Sequence, residues 1–172
     1  MTPHFTAREL NVEGAPTAVR VNAQRVAELL ERVRAALGNK PVTVTSGYRP
    51  PARNAAAGGA STSQHLDGSA ADFKVAGYGR AELARALEAA AAAGKLGEFG
   101  QLIVYPYTTG HAHISLPRAG KRNGEVLRKL VGEGYQLADV VAFATKAAPS
   151  ALVLLALAIV AWLALTGEPV RG

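Results

Sequence analysis

Apolar residues recur at helical spacing between residues 22 and 37, where Val26, Leu29, Leu30, Val33 and Leu37 share one face. Asn22 is placed to cap this helix, Gly38-Asn39 ends it, and Pro41 prevents its resumption. Ahead of it, Thr6 and Glu9 form a capping-box pattern that predicts a short helix over residues 5–10, broken by Gly14-Ala15-Pro16. The period then changes. Val42-Thr43-Val44-Thr45-Ser46 alternates and is β-branched, which predicts a strand. Arg49-Pro50-Pro51 predicts a turn, residues 53–57 one helical turn, and residues 58–63 a polar, glycine-rich loop. A second strand follows over residues 70–75, then an alanine-rich helix over 80–93 stopped by Gly94. Residues 101–105 and 113–116 predict two more strands, joined through a turn at 106–110 as a hairpin. Weaker helical patterns occupy residues 124–131 and 137–146. This order predicts an α+β fold in which helices pack on one side of a small antiparallel sheet.

The last stretch differs in kind. Residues 147–167 hold no charge, and 151–165 are nearly unbroken Leu, Ala, Val and Ile. About 20 apolar residues in a helix cross the hydrocarbon layer. Trp162 sits near the far end, where interfacial aromatics are common. A helix buried in a protein core keeps a polar face, and this stretch has none. The expectation is a single-pass membrane protein with a catalytic or binding domain at 1–120, a helical connector at 121–146, a transmembrane helix at 147–167 and a tail at 168–172. Residues 1–6 lack the basic-then-apolar pattern of a secretory signal. The side on which the domain lies stays open. Arg128, Lys129 and Lys146 precede the span and only Arg171 follows it, a bias that leaves the domain cytoplasmic by the positive-inside tendency.

Composition narrows the chemistry. Hydrophobic residues make up 49% of the 172, enough for a core, although aromatics are only 6%. With no cysteine, disulfides and thiolate metal sites are excluded, so any metal is held by nitrogen and oxygen. The net charge of +6, carried by 13 arginines and 6 lysines, suits anionic surroundings. No run of five basic residues and no basic stripe interleaved with aromatics is present, so nucleic acid is not an expected partner.

Three of the four histidines cluster with one aspartate. His65 lies in the loop entering the second strand and Asp72 within that strand. His111 and His113 lie on the last strand of the hairpin, two apart and therefore on one face. Antiparallel neighbours can bring His65, Asp72 and His113 to one point. Two imidazoles and one carboxylate leave a fourth zinc position open for water, as a hydrolytic site needs. By residue type alone, two buried, hydrogen-bonded histidines and a capping aspartate are the more frequent explanation of such a pattern.

The surrounding residues favour the metal. Ser63-Gln64-His65-Leu66-Asp67-Gly68-Ser69-Ala70-Ala71-Asp72 matches Ser-x-His-x-x-Gly-x-Ala-x-Asp, the zinc signature of the M15 peptidases. Thr45-Ser46-Gly47-Tyr48-Arg49-Pro50 looks like the Ser-Gly-Tyr-Arg segment of that family, and Gln101-Leu102-Ile103 with His113-Ile114-Ser115 looks like its closing hairpin. The resemblance covers about residues 3–118 and extends to the related fold and metal site of hedgehog amino-terminal domains. It implies one zinc ion on His65, Asp72 and His113. It assigns Arg49 to the substrate, where a guanidinium suits a peptide carboxylate or an oxyanion. Ser63 and Gln64 are expected to steady His65 or touch substrate. The family commonly carries a carboxylate a few residues before its last histidine ligand, but Gly110 and Tyr107 stand there in this chain. Glu98 is the expected substitute as general base, with His111 as donor to the transition state. The implied activity is hydrolysis of peptidoglycan stem peptides, as a D-Ala-D-Ala carboxypeptidase or an L-Ala-D-Glu-type endopeptidase. The alternative is a non-catalytic, zinc-containing wall-binding module anchored to a membrane, because the usual acidic base is missing.

Overall fold

The computed structural model describes residues 1–105, 110–120, 123–129 and 135–137. Helix α1 (Thr17–Ala36) turns Val19, Ala23, Val26, Ala27, Leu30 and Val33 inward along one stripe. It starts five residues before the expected cap, directly after Pro16. Asn22 lies inside the helix, and its amide donates to the Asp67 carbonyl (2.9 Å). The helix ends where expected, with Gly38 (φ 73°) and Asn39 (φ 58°) in the left-handed region. Upstream, the capping box forms as expected: Thr6 N donates to Glu9 Oε2 (2.8 Å) and Glu9 N to Thr6 Oγ1 (3.2 Å). It closes only a turn rather than a helix, because Asn11 turns left-handed (φ 56°) directly after it.

Strand β1 (Val42–Ser46) leads through helix α2 (Pro51–Ala56) and a 3-10 turn (Gln64–Asp67) to strand β2 (Ala70–Val75). Helix α3 (Arg80–Ala92) and strands β3 (Gln101–Val104) and β4 (His111–Ser115) follow. The sheet order is β1-β2-β4-β3, followed by strands β5 (Glu125–Lys129) and β6 (Tyr135–Leu137). Its first four strands are antiparallel neighbours, the small antiparallel sheet that the pattern predicts.

Beyond them the structure departs from expectation. Residues 124–129 are not helical, and 130–131 lie outside the described residues. Glu125–Lys129 forms strand β5, paired in parallel with β3, and Tyr135–Leu137 forms strand β6. Strand β3 would otherwise be an edge with unpaired amides and carbonyls, which draws a neighbouring segment into extended pairing. The Gly124 amide, left-handed at φ 75°, bonds the Phe99 and Gly100 carbonyls (both 2.8 Å) and sets β5 beside β3. The compact unit therefore runs Met1–Ala138, further than the expected domain of residues 1–120. Part of the expected helical connector (121–146) is thus sheet, and residues 138–146 lie outside the described residues. So do the expected span at 147–167 and the tail. Among the described residues no helix is long and apolar enough to cross a membrane.

The two faces of the sheet have different tasks. Ala71, Phe73 and Val75 of β2, Ala112 and Ile114 of β4, and Leu102 and Val104 of β3 join α1 and α3 in one core. Leu83 and Leu87 of α3 and Leu29 and Leu30 of α1 are fully buried there. Each such side chain contributes about 1.5–3 kcal/mol on removal from water. Alternation then puts Asp72, Lys74, His111 and His113 on the opposite face. The helices hold one side of the sheet and leave the polar side for chemistry.

Candidate metal centre

The site is assembled from the middle of that polar face. Asp72 and His113 are direct partners across β2 and β4, so neighbouring strands supply both. His65 comes from the 3-10 turn. Ser63 Oγ accepts from His65 N (3.3 Å) and caps the turn, and Gly68 leaves it in the left-handed region (φ 76°). A Cβ on Gly68 would lie 2.7 Å from the Val19 carbonyl, so this turn approaches α1 as only glycine permits. Further clamps hold it. Gln64 Nε2 donates to the Leu116 carbonyl (2.9 Å), and Arg118 donates to Asp67 Oδ2 (2.9 Å) and to the Thr62 carbonyl (3.0 Å).

The three side chains are buried, at 3% exposure for His65, 6% for Asp72 and 7% for His113. Their donor atoms all lie within 4.8 Å of one another. His65 Nε2 is 3.2 Å from His113 Nδ1 and 3.4 Å from Asp72 Oδ1, and His113 Nδ1 is 2.9 Å from that oxygen. Donors bound to tetrahedral zinc at about 2.0–2.1 Å stand about 3.3 Å apart. The three atoms are thus already spaced as three corners of such a tetrahedron. Among the described residues no fourth His, Cys, Asp or Glu joins the group. The donor set fits a metal site with one open position rather than a closed structural one.

The ring of His65 is oriented by an acceptor that sequence reasoning did not single out. Its Nδ1 lies 2.7 Å from the Gly47 carbonyl, which takes the Nδ1–H and leaves Nε2 bare toward the cluster. Arg49 N donates to the His65 carbonyl (2.9 Å), fastening the same two segments again. Ser63 and Gln64 therefore hold the backbone of the turn, while the imidazole itself is held from Gly47. A main-chain acceptor has no signature in a sequence. The only hint was that glycine stands within the Ser-Gly-Tyr-Arg segment.

Arg49, expected at the substrate, reaches the cluster through Asp72. Its Nη2 donates to Asp72 Oδ2 and its Nε to Ser46 Oγ (2.8 Å). Burial raises the Asp72 carboxyl pKa, but hydrogen bonds from His113 and His65 and the charges of both rings outweigh it. The carboxyl is held well below the usual carboxylate range. Burial likewise pushes His113 below the ordinary histidine value against the pull of Asp72. Both shifts leave ligands in the forms that bind a cation, carboxylate and neutral imidazole.

His111 lies on the same face two residues from His113, with Nε2 2.8 Å from Thr45 Oγ1 and its ring 5.4 Å from that of Tyr105. Burial lowers its pKa, and the charges of Lys74 and Arg49 add to this against Asp72. Glu98 is not brought to the cluster. It is exposed on the bend between α3 and β3, and the next residue, Phe99, packs into the helix-side core.

The peptidase M15 family model matches residues 3–115, a span that closes with β4 and contains every residue of this cluster. The chain belongs to the peptidase M15 family. The nitrogen and oxygen donors gathered within the matched span suit a zinc ion. A zinc D-Ala-D-Ala carboxypeptidase of Streptomyces albus G is 39% identical over 92 residues, covering 48% of this chain and 36% of that protein. The chain thus spans little more than a third of the relative's length. Strands β5 and β6 lie beyond the M15 match and enlarge the sheet at its β3 edge.

Proposed function

We propose that this chain hydrolyses a stem-peptide bond of bacterial peptidoglycan, as a D-Ala-D-Ala carboxypeptidase or an L-Ala-D-Glu-type endopeptidase. The observation that carries the reading is the trio of donors at tetrahedral spacing with no fourth protein ligand among the described residues. His65, Asp72 and His113 would hold the zinc ion. A zinc ion there supplies Lewis-acid activation of a peptide carbonyl and of water. Membership of the M15 family and likeness to a wall carboxypeptidase support the substrate class.

The chain's own residues divide the remaining work. Arg49 neutralises the far oxygen of Asp72, and the rest of its guanidinium faces the substrate, where it steadies negative charge developing on the carbonyl oxygen. His111 stays neutral near pH 7 and is held by Thr45, so it accepts a proton from attacking water and returns one to the leaving amine. This gives His111 the proton-transfer task that sequence reasoning assigned to Glu98. Ser63 and Gln64 fix the His65 turn at the rim of the substrate groove. The uncharged stretch at 147–167 supports a single membrane span, with the peptidase domain held close to its wall substrate.

The test is zinc content together with the products released from purified peptidoglycan. One zinc per chain and a defined new terminus are expected, with both lost in His65→Ala. Digestion of the wall by His65→Ala at the wild-type rate would refute the reading. Protease treatment of spheroplasts would test the anchor: a shielded domain released only on lysis places it inside, and digestion from outside places it on the wall face.

A further inference from the structure

Strand β2 lies between β1 and β4, and all of its residues but one are buried. The exception is Lys74, on the same face as Asp72 and two residues along, which is about 7 Å. It stands directly opposite His111 on β4 and Thr43 on β1. Its charge is close enough to depress the pKa of His111. Arg49 and Arg118, the guanidiniums at this site, are engaged with Asp72 and Asp67. Among the described residues no hydrogen bond or ion pair is recorded for Lys74. The sheet surface around it is polar, and Thr43 and Thr45 are exposed among the described residues. A cation inside a sheet, beside a hydrolytic centre and without an acidic partner among the described residues, is matched to an anion that comes and goes.

We propose that Lys74 binds a free carboxylate of the substrate peptide flanking the scissile bond and thereby sets which peptides are cut. This rests on the peptidase reading above. An extended peptide advances about 3.3–3.6 Å per residue, so a carboxylate one or two residues from the reacting carbonyl falls in the range that Lys74 covers. The lysine is a flexible point charge and accepts such a group without the fixed bidentate geometry of an arginine. Two sources present this chemistry: the C-terminal carboxylate of the peptide, or the free carboxylate of an internal acidic residue.

The experiment uses the full zinc-loaded chain, Lys74→Met and Lys74→Arg. One peptide pair ends in a free carboxylate or an amide. A second pair, with its C-terminus blocked, carries glutamate or glutamine beside the scissile bond. Lys74→Met is expected to lose about 10–100-fold in kcat/KM on the acid member of one pair and less than about twofold on its neutral member. Lys74→Arg retains most of the activity. The pair that responds identifies the source of the carboxylate. Equal losses on acid and neutral members of both pairs, or no loss on any, overturn the proposal. Calorimetric binding of the same peptides separates it from the peptidase reading. If wild type cleaves nothing yet binds an acid peptide more tightly than its neutral twin, and Lys74→Met abolishes that difference, the peptidase reading fails and the carboxylate site stands. If binding shows no such difference, the carboxylate site falls.

Discussion

Gly47 joins the fold to the metal through one main-chain carbonyl, and Gly47→Ala isolates that link. A Cβ at this position would lie 2.2 Å from the Leu10 carbonyl oxygen and 2.6 Å from its carbon, both rigid backbone. Ordinary contact needs about 3.5 Å, so the two segments must part by roughly 1 Å. Two hydrogen bonds cross or border that contact: Tyr48 N donates to the Leu10 carbonyl (2.9 Å), and His65 Nδ1 donates to the Gly47 carbonyl (2.7 Å). Leaving a buried polar group without its partner costs about 1–3 kcal/mol each, so the loss of stability is about 2–6 kcal/mol. Loss of the group that orients a metal-bound histidine weakens binding about 10–100-fold. Zinc affinity would be measured by competition with a chromophoric chelator, well below the melting temperature of both proteins, and stability by urea unfolding. Asn11→Gly is the control. It removes the Asn11 Nδ2 bond to the Tyr48 carbonyl (2.9 Å) while tolerating the left-handed φ of 56°, and it should leave zinc affinity unchanged. Zinc affinity within twofold of wild type in folded Gly47→Ala would refute the assignment of this carbonyl to His65.

Other expectations follow from the same geometry. His111→Gln should lower kcat about 10²–10⁴-fold while Glu98→Gln stays within about threefold in steady-state peptide hydrolysis; the reverse order would return proton transfer to Glu98. The metal-free chain should lose stability as pH falls below about 6.5. His113 and His111 have lowered folded pKa values, so between those values and the unfolded value the unfolded chain binds more protons and stability rises with pH. Urea midpoints between pH 5 and 8 in chelator, flat or rising toward acid, would contradict this. Phe73→Ala, at a fully buried position of β2 on the helix side, should cost about 3–5 kcal/mol in urea unfolding yet leave one zinc per folded chain. Loss of metal stoichiometry in its folded fraction would show that the two faces of the sheet are not independent.

Much of this molecule was legible in residue order because its signals are local. Alternation in residues 42–46, the strand at 70–75, helical spacing after Asn22, and the helix stop at Gly38-Asn39 depend on near neighbours, and the structure bears them out. The signature from Ser63 to Asp72 selected two of the three side chains that converge, His65 and Asp72, and the hairpin segment at His113-Ile114-Ser115 supplied the third. Other features depended on partners distant in sequence. Residues 125–129 pair with β3 because that edge offers unmet hydrogen bonds, whatever their own helical tendency. Glu98 lies exposed on the bend before β3 and outside the cluster, a placement that its spacing from His113 did not reveal. The His65 tautomer is set by a carbonyl 18 residues away, and main-chain oxygens are identical in every residue. Sequence by itself determined the α+β pattern, the likeness to M15 peptidases and the identity of the metal-binding trio. Only tertiary structure decided the parallel fifth strand, the acceptor that orients His65 and the lysine that has no acidic partner among the described residues beside the centre, because each is a relation between backbone or charge on separate elements.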